Sequence, residues 1–386
     1  MKRIAILGST GSIGENTLKV VTRLPGEFRV VGLSTNSRTD ILYRQIRRFS
    51  PRLAAVSDSL RAADLAGRLG KKIKLLSGKD AAVAIAGDKG IDLVVLAISG
   101  SAALAPLLKA IETGKDVALA NKEALVMAGD IIMRKARARN TKIFPIDSEQ
   151  SAIWQCLDGK EKGSLKKVYL TASGGPLKDF TQSELKKVSL GRVLRHPRWK
   201  MGRKVTVDSA TLMNKGLELI EAMHLFGLSV KEIEIVIHPE AIIHSMVEFI
   251  DGSILAQLSV TDMRVPIQYA LTYPRRFPGS ASGIDFFKLG KLTFHKPSMA
   301  RFPCFRLAWE AASRGGSAPC VLNASNEIAV AAFLNKRIDL LTIPLIIEKV
   351  LARHKIVPRP GLDDILRIDA WARQQAHDLA CGLAGR

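Results

Sequence analysis

Two well-separated segments hold most of the side chains that could do chemistry. The first is Ile146-Asp147-Ser148-Glu149-Gln150. Its carboxylates stand at i and i+2, which on an extended strand point to one face. The second runs from Asp208 to Glu218 and reads Asp-Ser-Ala-Thr-Leu-Met-Asn-Lys-Gly-Leu-Glu. It packs Ser209, Asn214, Lys215 and Glu218 into two or three helical turns, where i, i+3 and i+4 share a face. Carboxylates suit a hard divalent cation, whereas Ser, Asn and Lys suit a phosphate. With Glu218 as a third carboxylate, Asp147 and Glu149 form an oxygen-only set, which implies Mg²⁺ or Mn²⁺ and not zinc. The plainer alternative for any one of these acids is a helix cap or an ion pair.

The start of the chain adds a nucleotide signature. An apolar strand pattern, Arg3–Leu7, runs into Gly8-Ser9-Thr10-Gly11-Ser12-Ile13-Gly14 and then a helical stretch. Glycines let the backbone approach a pyrophosphate, and the helix N-terminus supplies N–H donors and a positive dipole end. The spacing is G-x-x-G-x-x-G, not the commoner G-x-G-x-x-G, but strand before and helix after are the context the motif requires. A plain tight turn is the alternative. NAD enzymes usually place an acid at the end of the second strand for the ribose diol. Here stands Ser34-Thr35-Asn36-Ser37-Arg38, with no acid. Hydroxyls and an arginine suit a 2′-phosphate, which favours NADP. A bare surface charge is the alternative for Arg38.

Two further stretches invite an anion. Ser173-Gly174-Gly175-Pro176 follows a strand pattern and would expose backbone N–H groups and a hydroxyl. Arg195-His196-Pro197-Arg198-Trp199-Lys200-Met201-Gly202-Arg203-Lys204 is a basic loop with one Trp, a candidate lid. Trp199 could exclude water over a substrate and His196 could donate to a phosphate or hydroxyl. An ordinary turn and a surface loop with Trp199 tucked inward are the alternatives. His238 and His244 lie in strand-like context and read as satisfied structural histidines.

The elements that must position these residues alternate at first. Short apolar, β-branched strands are expected at Arg3–Leu7, Arg29–Ser34, Leu53–Val56, Ile73–Leu76, Leu93–Ile98, Val117–Leu119 and Ile143–Ile146, with helices such as Ile13–Leu24, Leu104–Thr113 and Glu123–Ala138 between them. This predicts an α/β fold with a Rossmann-like, doubly wound parallel sheet. From Lys166 the pattern changes to a mixed or antiparallel sheet (Lys167–Thr171, Glu232–His238, Ser245–Phe249, Ile254–Leu258) with helices at Thr181–Val188 and Thr211–Phe226. Residues 273–279 carry the Pro and Gly of a linker. Past Phe302 the pattern is helical (Phe305–Ser313, Asn326–Asn335, Ile343–Arg353, Leu362–Leu379), as in a small bundle. The expected divisions are 1–146 for nucleotide binding, 147–278 for catalysis with an α+β core, 279–301 as linker and 302–386 as a helical domain.

Composition narrows the function. The chain has 386 residues, 47% hydrophobic and 24% charged, as in globular proteins of more than one domain. No apolar run is long enough to span a bilayer, and no signal peptide precedes the first strand. Four scattered cysteines form no C-x-x-C pair, which fits reduced thiols and a cytoplasmic location. The net charge of +22 is dispersed over sites such as Arg44, Arg47, Arg48, Lys71, Lys72 and Lys74. Only 5% of residues are aromatic, so stacking platforms for nucleic acid are scarce. The basic surface suits anionic small molecules better.

Together these motifs identify a resemblance. The whole chain closely resembles the 1-deoxy-D-xylulose 5-phosphate reductoisomerase family. The resemblance is carried by the Gly8–Gly14 loop, Ala120-Asn121-Lys122-Glu123, Ile146–Gln150, Ser173–Pro176, His196–Lys204, Asp208–Glu218, His238-Pro239 with Ile243-His244-Ser245, and Leu322-Asn323-Ala324. It implies that Asp147, Glu149 and Glu218 hold the metal, and that Lys122 and Ser148 contact the hydroxyl and carbonyl region of a sugar phosphate. Ser173, His196, Ser209, Asn214 and Lys215 would surround the substrate and its phosphate, with Trp199 on the lid. Thr10, Gly11, Ser12, Ile13, Asn121, Glu123 and Gly202 would contact NADPH, and the Asn36-Ser37-Arg38 stretch would face its 2′-phosphate. The family commonly carries Gly with a basic residue and Asn in that stretch. Its usual Asn-Ala-Ala-Asn is here Asn323-Ala324-Ser325-Asn326.

The implied reaction breaks and remakes a carbon–carbon bond of 1-deoxy-D-xylulose 5-phosphate and reduces the resulting branched aldehyde with NADPH. The product is 2-C-methyl-D-erythritol 4-phosphate, in the non-mevalonate isoprenoid pathway. A homodimer is also implied, with no membrane or nucleic-acid partner. A simple NADP-dependent sugar-phosphate dehydrogenase would need no metal, and a non-catalytic NADP-binding regulator would need no carboxylate triad.

Overall fold

The computed structural model describes residues 1–69, 73–199 and 201–383; Lys71, Lys72 and Lys200 of the basic stretches lie outside them. Two compact units emerge. One comprises Met1–Ala124, Ile132–Ser151 and Asp262–Ala281; the other comprises Leu125–Ile131, Ala152–Thr261 and Ser282–Arg386.

The first unit is built on seven strands: β1 (Lys2–Leu7), β2 (Phe28–Thr35), β3 (Leu53–Val56), β4 (Lys74–Ser77), β5 (Leu93–Leu96), β6 (Asp116–Leu119) and β7 (Ile143–Pro145). All pair in parallel, in the order β4-β3-β2-β1-β5-β6-β7. Every residue of β3 and β5 is buried, as expected where helices cover both faces of a parallel sheet. The order reverses between β1 and β5, and ligands bind in the crevice beyond the carboxyl ends of strands at such a point. The expected doubly wound sheet is therefore present, with its switch point directly before Gly8.

Gly8 has a φ of +86°. A Cβ there would lie 2.5 Å from the Ala97 carbonyl oxygen just past β5, so only glycine fits. Helix Ser12–Arg23 packs against helix Arg264–Thr272. The Pro- and Gly-punctuated stretch after the latter helix is fastened to this unit: Arg275 pairs with Glu27 at 2.6 Å, and the Tyr273 ring lies 5.8 Å from Phe144.

The second unit holds a mixed sheet of β8 (Leu165–Ala172), β9 (Ile233–Ile237), β10 (Ile243–Phe249) and β11 (Ile254–Leu258), in the order β11-β10-β8-β9. β8 and β9 run parallel, and β10 is antiparallel to β8 and β11. Helices Pro303–Arg314, Ala318–Leu334, Thr342–Arg353 and Leu362–Leu383 form the expected helical region. The second of these starts well before the expected Asn326, because Pro319 is well placed in a first helical turn and the buried Cys320, Val321 and Leu322 extend the apolar face.

Helix Met213–Phe226, which carries three site candidates, crosses Pro303–Arg314 at Gly216. A Cβ on Gly216 would collide with Ala308 Cβ. Gly216→Val should cost about 1–3 kcal/mol through overpacking, read as a melting temperature lowered by about 2 °C or more. An unchanged melting curve would contradict this close crossing.

Candidate active site

In the first unit, hydroxyls pin the Gly-rich loop to the end of β2. Ser9 Oγ lies 2.7 Å from Gln45 Oε1 and 3.1 Å from the Ser34 carbonyl. Gln45 Nε2 donates back to the Ser9 carbonyl at 2.9 Å. The Gly8 N–H donates to Ser34 Oγ at 3.0 Å, and the Thr10 and Thr35 hydroxyls are 2.6 Å apart. Gly11, Ser12 and Ile13 stay partly or fully exposed at the loop's mouth. Asn36, Ser37 and Arg38 are exposed beside them, and Arg38 Nη1 donates to the Thr10 carbonyl at 3.3 Å. A permanent cation thus stands next to the loop, where an acid would stand in an NAD site. Gln45 escaped sequence reasoning because helix Thr39–Phe49 looks like a cationic surface helix.

Asn121 closes the other side of the crevice. Its Nδ2 lies 3.0 Å from the Ile98 and Gly100 carbonyls and 2.9 Å from Glu123 Oε2. Its Oδ1 accepts the Ala124 N–H at 2.8 Å, at the start of helix Glu123–Ala138. Asn121 and Glu123 therefore join the loops that leave β5 and β6.

The carboxylates Asp147 and Glu149 do not share a strand face as the sequence suggested. β7 ends at Pro145, which cannot donate to a sheet ladder, and helix Ser148–Leu157 follows at once. The Asp147 carbonyl accepts the Ser151 N–H at 2.8 Å, so Asp147 stands at the helix start and Glu149 in its first turn. Negative charge is favoured there by the helix dipole. Lys122 forms an ion pair with Asp147, both largely shielded from solvent. Ser148 Oγ donates to Glu149 Oε2 at 2.5 Å.

In the second unit, the Asp208–Glu218 stretch is two helices. Leu212 adopts a φ of +58° and separates Arg203–Ala210 from Met213–Phe226. Ser209 lies in the last turn of the first helix. Asn214, Lys215 and Glu218 share the first turns of the second. Asn214 Nδ2 donates to Glu218 Oε1 at 2.5 Å, and Lys215 pairs with Glu218 Oε2. Lys215 and Glu218 are only 3% and 1% exposed.

The Ser173 turn is seated on the end of helix Arg203–Ala210. Gly174 and Gly175 have φ of +84° and +72°, and a Cβ on Gly175 would lie 2.5 Å from the Ser209 carbonyl oxygen. Gly175 thus lets the turn after Ser173 rest on the Ser209 carbonyl, where no larger residue fits. Ser173 Oγ lies 3.2 Å from His196 Nε2. His196 Nδ1 accepts the Trp199 N–H at 2.9 Å and the Arg198 N–H at 3.2 Å, so the ring proton belongs on Nε2, directed at Ser173. Trp199 is half-buried with its ring 6.0 Å from His244, not sunk in the core. Gly202 is exposed at the start of helix Arg203–Ala210.

His238 and His244 have structural partners, as expected. His238 Nε2 accepts the Ile242 and Ile243 N–H groups, each at 3.2 Å, and Nδ1 lies 3.0 Å from the Thr293 carbonyl. His244 Nε2 lies 2.8 Å from Ser259 Oγ.

Burial pulls the His196 pKa down from 6.5 to about 4. A folded value below the unfolded one means that the neutral ring's contribution to stability is complete above about pH 6.5 and is lost as the pH falls towards 4. The His196 imidazole resonance, assigned with a His196→Gln variant, should titrate with a midpoint near 4. A midpoint near 6.5 would contradict the buried, Nδ1-accepting arrangement.

Family models match nearly the full length. The model for 1-deoxy-D-xylulose 5-phosphate reductoisomerase matches residues 4–129, and that for its C-terminal domain matches 143–226. The DXP reductoisomerase C-terminal domain matches 258–375. The 1-deoxy-D-xylulose 5-phosphate reductoisomerase of Desulfosudis oleivorans is 50% identical, covering 97% of this chain and 99% of the relative. That of Pelotomaculum thermopropionicum is 48% identical, covering 97% of each. Among solved structures, DOX-P reductoisomerase in complex with NADPH, fosmidomycin and magnesium superposes with a TM-score of 0.93, 39% identity and 98% coverage of each chain. The Zymomonas mobilis enzyme in complex with NADPH gives a TM-score of 0.91 with 41% identity, covering 98% of this chain and 99% of that one. Sequence and fold agree along the whole length: this chain belongs to the 1-deoxy-D-xylulose 5-phosphate reductoisomerase family.

Proposed function

We propose that this protein converts 1-deoxy-D-xylulose 5-phosphate to 2-C-methyl-D-erythritol 4-phosphate with NADPH and a divalent cation, in the non-mevalonate isoprenoid pathway. The observation that carries this reading is 50% identity to a reductoisomerase over 97% of the chain.

Asp147, Glu149 and Glu218 fit a hard cation. They are oxygen donors only, and each already has a cationic or hydroxyl partner within its own unit. Such groups are held charged and oriented for a metal. These residues would bind Mg²⁺ or Mn²⁺, which the donor set suits equally. The Gly8–Gly14 loop, Asn121, Glu123 and Gly202 would bind NADPH, with Asn36, Ser37 and Arg38 at the 2′-phosphate. When bound, the cation supplies a Lewis acid for the ketone and adjacent hydroxyl oxygens, and the nicotinamide supplies hydride.

The chain's own residues do the rest. Lys122 and Ser148, placed at helix starts beside the carboxylates, would orient the carbonyl and hydroxyl end of the substrate. Ser209, Asn214 and Lys215 would hold the phosphate end, near the N-terminus of helix Met213–Phe226. Neutral His196 would donate from Nε2, and Ser173 would follow its lead. Trp199 would cover the substrate and exclude water. Segment 1–146 would bind the nucleotide, 147–278 would do the chemistry, 279–301 would link, and 302–386 would support.

A second copy of this chain is the proposed partner. β11 is an edge strand with Ile254 and Leu255 exposed and Ile250 exposed just before it. Bare apolar edges of this kind are normally covered. The free thiols of Cys156, Cys304, Cys320 and Cys381 support a cytoplasmic location. No helix among the described residues is long and apolar enough to cross a membrane. The +22 charge would draw in two anionic small molecules, without nucleic acid as a partner.

NADPH oxidation followed by absorbance should require 1-deoxy-D-xylulose 5-phosphate together with Mg²⁺ or Mn²⁺, and should yield the branched polyol phosphate. Equal turnover in excess chelator would point to a simple dehydrogenase. No turnover with either metal, from folded protein that binds NADPH, would contradict the substrate assignment.

A further inference from the structure

One buried carboxylate close to the site has no part in the account above. Asp208 is 1% exposed and sits one residue before Ser209. Its Oδ2 lies 2.8 Å from Lys204 Nζ, one turn back on the same helix. Its Oδ1 accepts from Asn326 Nδ2 at 2.9 Å, a contact that spans 118 residues of sequence. Asn326 lies on helix Ala318–Leu334 and is fully buried. Among the described residues, its own Oδ1 has no hydrogen-bond partner.

An amide whose oxygen is stranded in the core is a poor choice for stability alone. An apolar side chain of similar size would avoid the desolvation cost. What the amide does is fix the plane of the Asp208 carboxylate. That carboxylate holds Lys204, two residues after Gly202, so the start of helix Arg203–Ala210 is tied to its end. The Asp208 carbonyl lies 3.2 Å from Thr211 Oγ1, at the break before the next helix. The adjoining Ser209 carbonyl fills the space in front of Gly175. The Gly175 N–H donates to Ser173 Oγ at 3.3 Å, and Ser173 faces His196. A continuous set of contacts therefore runs from Asn326 through Asp208 to Ser209, Ser173 and His196.

We propose that Asp208 and Asn326 are positioning residues: the amide clamps the carboxylate so that Ser209 and Ser173 face the sugar phosphate together, although neither clamp residue touches it. This rests on the placement of Ser209 at the substrate in the proposed function. A clamp acting on groups that hold the remote end of a substrate should change binding of ground and transition states alike, and so move KM more than kcat.

The test is steady-state kinetics of the full chain with NADPH and Mg²⁺. Asn326→Leu keeps the branched shape and removes the donor. It should raise KM for 1-deoxy-D-xylulose 5-phosphate about 10-fold, keep kcat within about twofold, and leave the NADPH dissociation constant unchanged. Asn326→Ala reads the same quantities should the leucine variant not fold. Ser209→Ala is measured beside them. If Ser209→Ala raises KM and the Asn326 variant leaves it at the parent value, or lowers kcat alone, the clamp is overturned and the site assignment stands. If Ser209→Ala leaves KM unchanged, the placement of Ser209 fails and takes the clamp with it.

Discussion

Burying a charge is the constraint on which this site depends. An ion taken out of water must find a partner of opposite sign and fixed geometry, and removing one partner of such a pair costs about 3–5 kcal/mol. This chain does so repeatedly around its candidate site: Lys122 with Asp147, Lys215 with Glu218, and Lys204 with Asp208. Well-packed apolar residues are often more stable than such pairs. Stability alone therefore does not account for them. Carboxylates held charged in a shielded place are what a hard cation requires, and lysines beside them are what an anionic substrate requires.

The backbone is shaped to serve those charges. Gly8 lets the Gly-rich loop turn against the end of β5, and Gly175 lets the Ser173 turn rest on the Ser209 carbonyl. Leu212 accepts a left-handed conformation so that one helix can end and another begin between Ser209 and Asn214. In each case a local conformational cost is accepted where a functional group must be aimed, which is where strain is commonly found.

Much of this was legible in the sequence, and the failures have physical causes. The parallel strands are apolar, short and β-branched, so their pattern reads directly, and Leu53–Val56 matches residue for residue. Helix Glu123–Ala138 is right to its ends, yet Ala128 inside it departs from helical geometry, with φ −143° and ψ 27°. No sequence cue marks that kink, since Ala is the best helix former; the space at the neighbouring Gly129 is taken by the His224 ring. The Leu212 break is hidden for a similar reason, because a leucine rarely adopts positive φ. The apolar run Ile143–Ile146 reads as a strand that Asp147 and Glu149 end; the structure starts a helix there instead. Long-range pairings such as Ser9 with Gln45 or Asp208 with Asn326 leave no local pattern at all. The roles of individual site residues came from the family resemblance, not from spacing.

The central claim is that the carboxylates of Asp147, Glu149 and Glu218 serve one divalent cation. Calorimetric titration of the NADPH-loaded protein with Mn²⁺ tests it without reference to turnover. The account predicts one Mn²⁺ per chain, with affinity lowered at least about 10-fold in Glu149→Gln while the NADPH affinity and melting curve stay near those of the parent. Unchanged Mn²⁺ binding in that variant would contradict it.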